Sequence, residues 1–307
     1  MLIEYLRKLL IILKPMEKNK KILILGGNSF LGGHMFEHLK KNNQSVCATY
    51  NKNEVKRSDF FHCNLLSIKS IKKLPECNII IMYSFFTIGK NKYINNLIMI
   101  KNIINYCIEK NIFFVFISSS IVNFKYDTDY KKSKINCEKI ISKKLKNYLI
   151  IRPALPFGGR PKINSEMRIQ PLSFLKKFID NYYIVPVMGN GKCIRRPIFV
   201  DDLNIIIMHL INIKLTRKTI EIGGPDKISL NKIIDIFSNN IKKNRIKIHL
   251  PIILFYMPSL FLKFIDYENF SNFKSDEIID NDSWQSIDSK MKKLKLNTFK
   301  KFSKFIV

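Results

Sequence analysis

Runs of consecutive apolar residues, closed by small or polar ones and separated by stretches of helical periodicity, set the rhythm of this chain from Lys21 onward. The first is Lys21-Ile-Leu-Ile-Leu, which passes through Gly26-Gly-Asn-Ser-Phe-Leu-Gly-Gly-His into Met35-Phe-Glu-His-Leu-Lys. This order predicts a strand, a tight turn and a helix. Ser45 to Tyr50 predicts a second strand, Phe60-Phe61-His62 a weaker third, Asn78 to Ser84 a fourth and Ile112 to Ser120 a fifth, with helical spacing from Tyr93 to Glu109 between the last two. Strands that are apolar almost throughout, alternating with helices, require a parallel sheet covered on both faces. The fold class is therefore α/β, a doubly wound parallel sheet. Ligands of such sheets sit beyond the carboxyl ends of the strands, so Gly26 to Gly32, Tyr83-Ser84 and Ser118 to Ser120 converge on one crevice.

The chain has 307 residues, enough for one large core or two unequal lobes. Two lobes fit better, because Pro153 to Lys192 and the stretch after Pro225 break the strand and helix rhythm. The expected division is an N-terminal extension over 1–19, a nucleotide-binding domain over 20–152 and 194–224, and a smaller substrate-binding lobe over 153–193 and 225–307.

Chemistry enters at the glycine turn and at Asp129-Tyr-Lys-Lys-Ser-Lys-Ile. Gly26 permits the turn, Gly32 allows close packing, and a helix N-terminus offers amides and partial positive charge to a diphosphate. Ser29 stands where the second glycine of a Gly-x-x-Gly-x-x-Gly turn would be; its side chain narrows the approach, and its hydroxyl is a candidate donor to the same diphosphate. Tyr130 and Lys134, four residues apart, share a helix face. A cation beside a phenol favours the phenolate and lowers its pKa from about 10, which suits a general acid or base. A lysine-rich surface helix also produces this spacing, so its weight comes from the segments around it.

With a glycine turn, a serine-ended fifth strand and a following Tyr-x-x-x-Lys, the chain resembles the extended short-chain dehydrogenase/reductase superfamily, in its nucleotide-sugar epimerase/dehydratase branch. The resemblance runs from Lys20 onward. It implies a Rossmann-like fold with a C-terminal substrate lobe, and Ser119, Tyr130 and Lys134 as catalytic groups, Lys134 also holding the nicotinamide ribose. It assigns cofactor contacts to Gly26, Ser29, Phe30, Leu31, Gly32, Asn51, Asn64, Leu65, Tyr83, Ser84, Asn96 and Lys134. Asn64 takes the place of an aspartate that contacts adenine, and Asn96 that of an asparagine supporting the site. Gly189-Asn-Gly-Lys-Cys-Ile-Arg-Arg-Pro-Ile-Phe-Val-Asp-Asp-Leu is similar to a family segment whose first arginine, Arg195 here, meets the substrate diphosphate through a guanidinium fork. Ser120 joins it on the substrate side. Asp201 and Asp202 are expected to cap the helix from Leu203 to Ile213, and Ser229 the helix beyond the return strand at Ile220.

Several positions depart from the pattern. Leu155 replaces a substrate-contacting asparagine, the linker from Ser119 to Tyr130 is short, and Tyr50-Asn51-Lys52 carries no acid for the ribose of NAD. Lys52, Lys56 and Arg57 tilt the cofactor, NAD or NADP, slightly toward NADP. Ser120 and Ile121 supply no acid and base beside Ser119, which ranks dehydration below epimerisation or reduction.

The resemblance implies an NAD(P)-dependent nucleotide-sugar epimerase or 4-keto reductase, in cell-surface polysaccharide biosynthesis. Two alternatives are a non-catalytic relative with an assembly role and a reductase of a hydrophobic carbonyl. The implied partner is a nucleotide-activated sugar, and a homodimer is compatible with the reading.

Composition changes this picture little. The net charge of +29 comes from 53 Lys and Arg against 24 Asp and Glu, spread along the whole length without a basic and aromatic platform. Such a charge would ordinarily suggest nucleic acid or an anionic membrane, but its even spread argues against a specific nucleic-acid partner, and the positive field would help to draw in an anionic substrate. Six cysteines without metal-ligand spacing and five scattered histidines imply no metal site, and buried thiols fit a reducing cytoplasm. Met1 to Lys14 is amphipathic but too short in its apolar run to span a bilayer, and a natural start at Met16 is the preferred reading. Leu250 to Phe264, interrupted by Pro251 and Pro258, is expected to pack in the smaller lobe rather than touch lipid.

Overall fold

A computed structural model of the protein describes residues 20–163, 171–251, 253–254, 275–279 and 299–302. The expectations for Met1 to Lys14 lie outside these residues, as do most of those for Leu250 to Phe264 and the closing segment from Ser289. Thirteen strands and seven α-helices are described. The first half runs β1 (Ile22–Leu25), α1 (Phe30–Lys41), β2 (Val46–Tyr50), β3 (Phe60–His62), α2 (Ile68–Ile71), β4 (Ile79–Met82), α3 (Lys92–Glu109), β5 (Phe113–Ile117), a 3-10 turn (Ser120–Asn123), α4 (Asp129–Lys144) and β6 (Tyr148–Pro153). The remainder runs β7 (Pro156–Phe157), α5 (Pro171–Asn181), β8 (Ile184–Met188), β9 (Ile194–Arg195), β10 (Ile198–Phe199), α6 (Val200–Asn212), β11 (Lys218–Ile222), β12 (Ile228–Ser229), α7 (Leu230–Asn240) and β13 (Ile246–Leu250).

Seven strands form one parallel sheet in the order β11-β6-β5-β4-β1-β2-β3. Alternation along β1 explains why its sequence is apolar throughout: successive side chains point to opposite faces, and both faces are covered. Ile22 and Ile24 enter a cluster with Met35 and Phe36 of α1 and Leu203 and Ile206 of α6. Leu23 and Leu25 enter the other, with Ile100 and Ile103 of α3 and Ile141 of α4. All four β1 side chains are fully buried, each contributing about 1.5–3 kcal/mol of transfer free energy. β3 reads weakly because only Phe60 of its three residues is buried.

A third apolar cluster gathers Leu172 and Ile179 of α5, Val185 and Val187 of β8, and Ile233 and Phe237 of α7. β8 pairs in parallel with β13, Val185 opposite Lys247. Two further short pairs are formed by β10 with β7, in parallel, and by β9 with β12, antiparallel. Leu155 packs against the third cluster.

Ser229 caps α7 as expected, accepting the Lys232 amide at 3.2 Å. Asp201 and Asp202 do not cap α6. That helix starts three residues earlier than the spacing suggests, Phe199 is its N-cap without a side-chain bond, and both aspartates fall in the first turn. There they still complement the helix dipole. Asp202 is buried and accepts the Lys300 amide at 2.9 Å, fastening a distant stretch of chain to α6.

Candidate active site

The glycine turn follows from close approach. Gly26 has φ +85°, and a Cβ on it would stand 2.6 Å from Ser84 Oγ and 2.9 Å from Ser84 N. A Cβ on Gly32 would stand 2.2 Å from the Gly26 carbonyl oxygen. Both positions need glycine for steric reasons, and together they bring the ends of β1 and β4 against the start of α1. Ser29 is the N-cap of α1: its hydroxyl accepts the Gly32 amide at 3.1 Å and donates to the Gly26 carbonyl at 2.7 Å. Its proton is therefore committed to the turn. Among the described residues, none accepts from the amides of Phe30 and Leu31. These two N–H groups at a helix N-terminus are what a diphosphate requires, and they fit a dinucleotide cofactor.

Around the end of β2 the residues expected to contact a cofactor are less closely gathered. Asn51, Lys52 and Lys56 are exposed at the end of β2, whereas Arg57 is spent elsewhere. Its guanidinium binds Asp59 through Nε at 3.0 Å and Nη2 at 3.2 Å and covers the Phe36 ring at 5.2 Å. The Asp59 carboxyl, despite a desolvation penalty, is held down at about 2 by hydrogen bonds from Arg57 and Lys40. This arrangement removes Arg57 from the cations available to a ribose phosphate. Asn64 uses its carboxamide oxygen on the Leu66 amide at 3.0 Å, and Leu65 is buried with its carbonyl accepting from Asn102. Tyr83 packs its ring on the α1 side of the sheet, and its hydroxyl has no partner among the described residues. Burial drives that phenol far above its ordinary pKa.

The catalytic candidates come together at the end of β5. Ser119 lies in extended backbone, caps the 3-10 turn and accepts the Ile121 amide at 3.3 Å. Thr128 caps α4 by accepting the Lys131 amide at 3.0 Å, which fixes the first turn where Tyr130 sits. Tyr130 is half-buried and meets Phe85 edge to face, 5.5 Å between ring centroids. One turn further on, Lys134 is buried, and its ammonium donates to the Ile117 carbonyl at 2.8 Å, two residues before Ser119. That nitrogen lies 3.7 Å from the Phe85 centroid, 4.6 Å from that of Phe116 and 5.7 Å from that of Tyr130. Burial is the dominant influence and pushes the amine down to about 7, with Cys137 and Glu138 opposing. Sequence spacing predicts the face shared by Tyr130 and Lys134 but not this desolvation.

Asn96 of α3 is fully buried and supports the same corner. Its side-chain oxygen accepts the Phe86 amide at 2.8 Å, and its nitrogen donates to the Phe86 carbonyl at 2.9 Å. Phe86 follows Phe85, so Asn96 acts on Lys134 through the loop that carries the covering ring. The glycine turn, the serine-ended strand and the Tyr130–Lys134 helix all lie at the carboxyl ends of the central strands β1, β4 and β5, and a family model described as "NAD dependent epimerase/dehydratase family" matches residues 22–223. The chain belongs to that family.

The solved structures that this chain resembles share its fold. They include dTDP-glucose 4,6-dehydratase from Bacillus anthracis in complex with NAD, at TM-score 0.65 and 12% identity, covering 76% of this chain and 84% of that one. UDP-glucose 4-epimerase from Thermotoga maritima with UDP-glucose aligns at 0.63 and 16%, covering 75% and 85%. A dTDP-4-dehydrorhamnose reductase from Clostridium acetobutylicum aligns at 0.61 and 19%, covering 75% and 84%. No curated protein matches the chain.

Arg195, expected to meet the substrate diphosphate, is buried against the 275–279 segment. Its Nη1 donates to the carbonyls of Ile194 at 2.7 Å and Ser275 at 2.8 Å, and its guanidinium faces the Phe124 ring at 5.3 Å. Burial lowers its pKa, with the Glu277 charge opposing. Ser120 is also buried and donates to Glu277, whose other oxygen accepts the Arg196 amide at 2.9 Å. The segment is tied on further by the Ile194 amide to Asp276 at 2.7 Å and the Glu277 amide to the Ile194 carbonyl at 3.0 Å. Sequence reasoning missed Glu277, which lies 157 residues from Ser120 with no local pattern around it. It also missed Phe85, whose covering role becomes visible only once α4 is folded.

Proposed function

We propose that the protein is an NAD(P)-dependent nucleotide-sugar epimerase or 4-keto reductase acting in the cytoplasm, in the supply of sugars for cell-surface polysaccharide. The observation that carries this reading is the Lys134 ammonium on the Ile117 carbonyl, at the end of the strand that leads into Ser119, with Tyr130 one turn before it against the same Phe85 ring. When bound, the nicotinamide supplies hydride acceptance and donation. Phe30 and Leu31 amides would hold its diphosphate, and Lys134 its ribose. The Tyr130 hydroxyl takes or gives the proton at a sugar oxygen, and the Ser119 hydroxyl hydrogen-bonds that oxygen. A charged Lys134 assists the tyrosine by favouring the phenolate; deprotonation of the buried amine withdraws that assistance.

Epimerisation or reduction is favoured over dehydration. Glu277, the carboxylate behind Ser120, has both oxygens committed to Ser120 and Arg196 and serves as a clamp. The commitment of Arg57 to Asp59 weakens the case for NADP and leaves Lys52 and Lys56 as its support. Among the described residues no helix is long and apolar enough to cross a membrane.

The test is incubation of the full chain with a panel of UDP- and dTDP-sugars and NAD or NADP, comparing wild type with Tyr130→Phe. Turnover by wild type alone is the expected result. Equal turnover by both, or failure of the wild type to bind either dinucleotide, overturns the reading. Dinucleotide binding without turnover across a broad panel would favour the assembly role.

A further inference from the structure

Behind Ser119 lies a charged cluster that the proposed chemistry does not use. Glu138, one helix turn beyond Lys134, is buried and accepts the Ser118 hydroxyl. Its carboxylate is gripped by Arg152 of β6, through Nη2 at 2.6 Å and Nε at 3.1 Å. Arg152 then turns Nη1 to Glu221 of β11 at 3.0 Å and to the Asn123 side-chain oxygen at 3.4 Å. Asn123 donates in turn to Glu221 at 2.6 Å.

The positions of these contacts matter more than their number. Ser118 immediately precedes Ser119, and Asn123 ends the 3-10 turn that follows it. The cluster therefore holds the Ser119 segment at both ends, while Glu138 belongs to the helix that carries Tyr130 and Lys134. Consecutive turns of α4 thus contact consecutive groups of the strand end: Lys134 takes the Ile117 carbonyl, and Glu138 the Ser118 hydroxyl.

Partly buried charge is a costly way to fill this space, and apolar residues of similar volume often stabilise a fold as well or better. Directionality is what the ions add. A two-pronged guanidinium–carboxylate contact fixes both separation and plane, which apolar packing does not. Two carboxylates against one guanidinium also leave the cluster one net negative charge, shared between Glu138 of α4 and Glu221 of β11.

We propose that Glu138, held by Arg152 and Glu221, is a positioning residue that keeps the Ser119 hydroxyl in register with Tyr130. This inference rests on Ser119 and Tyr130 being the reacting groups. A misplacement of about 1 Å in such a pair costs on the order of 100-fold in rate.

Glu138→Gln keeps the shape but loses the ion pair, and Arg152→Lys keeps the charge but loses the fork. In the full chain, each is expected to lower kcat by about 10- to 100-fold while the KM for the nucleotide-sugar and the NADH affinity stay within about twofold. Glu138→Asp, which restores the charge at shorter reach, is expected to recover part of the loss. Hydrogen exchange is expected to quicken at residues 118–123 in Glu138→Gln and to stay unchanged in β1 and β4. Wild-type kcat in both ion-pair variants overturns the proposal, as does a parallel fall of kcat, NADH affinity and melting temperature, which marks a loosened fold. If the wild type turns over no substrate, the functional reading fails on its own; exchange at 118–123 then decides the positioning role, and an unchanged rate overturns it.

Discussion

The Lys134 ammonium stands 3.7 Å from the centroid of the Phe85 ring. A ring face attracts a cation, yet the same cover removes water from it, and desolvation wins, depressing the amine from 10.5 to about 7. Between those two values the unfolded chain holds a proton that the folded chain has released, so this group makes stability rise with pH across that window. Lys134→Met fills a similar volume without a charge. It is expected to abolish that rise and to stabilise the fold by about 1–3 kcal/mol at pH 6.5, while eliminating turnover. Urea denaturation of both proteins at pH 6.5 and 9.5 checks this; equal pH slopes would refute it.

Tyr130→Phe separates the proton-carrying group from the ring that packs on Phe85. The edge-to-face contact survives the change, so stability should move by less than about 1 kcal/mol and dinucleotide affinity hardly at all. The kcat is expected to fall by at least about 100-fold. Thermal melts, NADH fluorescence titration and steady-state kinetics together distinguish this outcome from a general loss of folding.

Gly32→Ala drives a methyl carbon to within 2.2 Å of the Gly26 carbonyl oxygen, so backbone must shift. The expected cost is about 1–3 kcal/mol of stability and a drop of at least about tenfold in dinucleotide affinity, because the amides of Phe30 and Leu31 move with the turn. Gly159→Ala is the control, since a Cβ there meets nothing within 4 Å. Comparable losses in both variants would count against the steric account.

Asn96→Leu leaves the amide and carbonyl of Phe86 without their side-chain partner. The bond from the Asn96 side-chain nitrogen to Ser133 Oγ at 3.4 Å goes with them, and three lost hydrogen bonds at a buried site predict a destabilisation of about 2–4 kcal/mol. Release of Phe85 should also raise the Lys134 pKa toward its ordinary value as water enters. The stability rise above pH 7 should then shrink, and a variant that loses stability but keeps the full wild-type pH slope would exclude the link through Phe85.

Features written in neighbouring residues were legible in the sequence. The apolar runs predict β1, β4 and β5 because side chains on both sheet faces are buried, and four-residue spacing places Tyr130 and Lys134 on one face. Ser29 was legible as a departure but not in its effect: its hydroxyl finds a local acceptor in Gly26 and becomes a cap. Asp201 and Asp202 were misjudged because α6 begins earlier than its polar-to-apolar boundary, with Phe199 at the cap. The partners of Glu138 lie in other elements, Arg152 being 14 residues away, and Arg152 is separated from Glu221 by 69. No window of local periodicity spans such distances; only the strand order β11-β6-β5 brings these residues side by side.

That strand order also has a consequence for the nascent chain. Tyr130, Lys134, Glu138 and Arg152 have all left the ribosome well before Glu221, and β11 can dock on β6 only when it follows. Until then Arg152 holds one carboxylate of its eventual two, Asn123 lacks its acceptor, and the apolar edge of β6 waits uncovered. The corner around Tyr130 and Lys134 can thus be completed only after β11 has docked on β6.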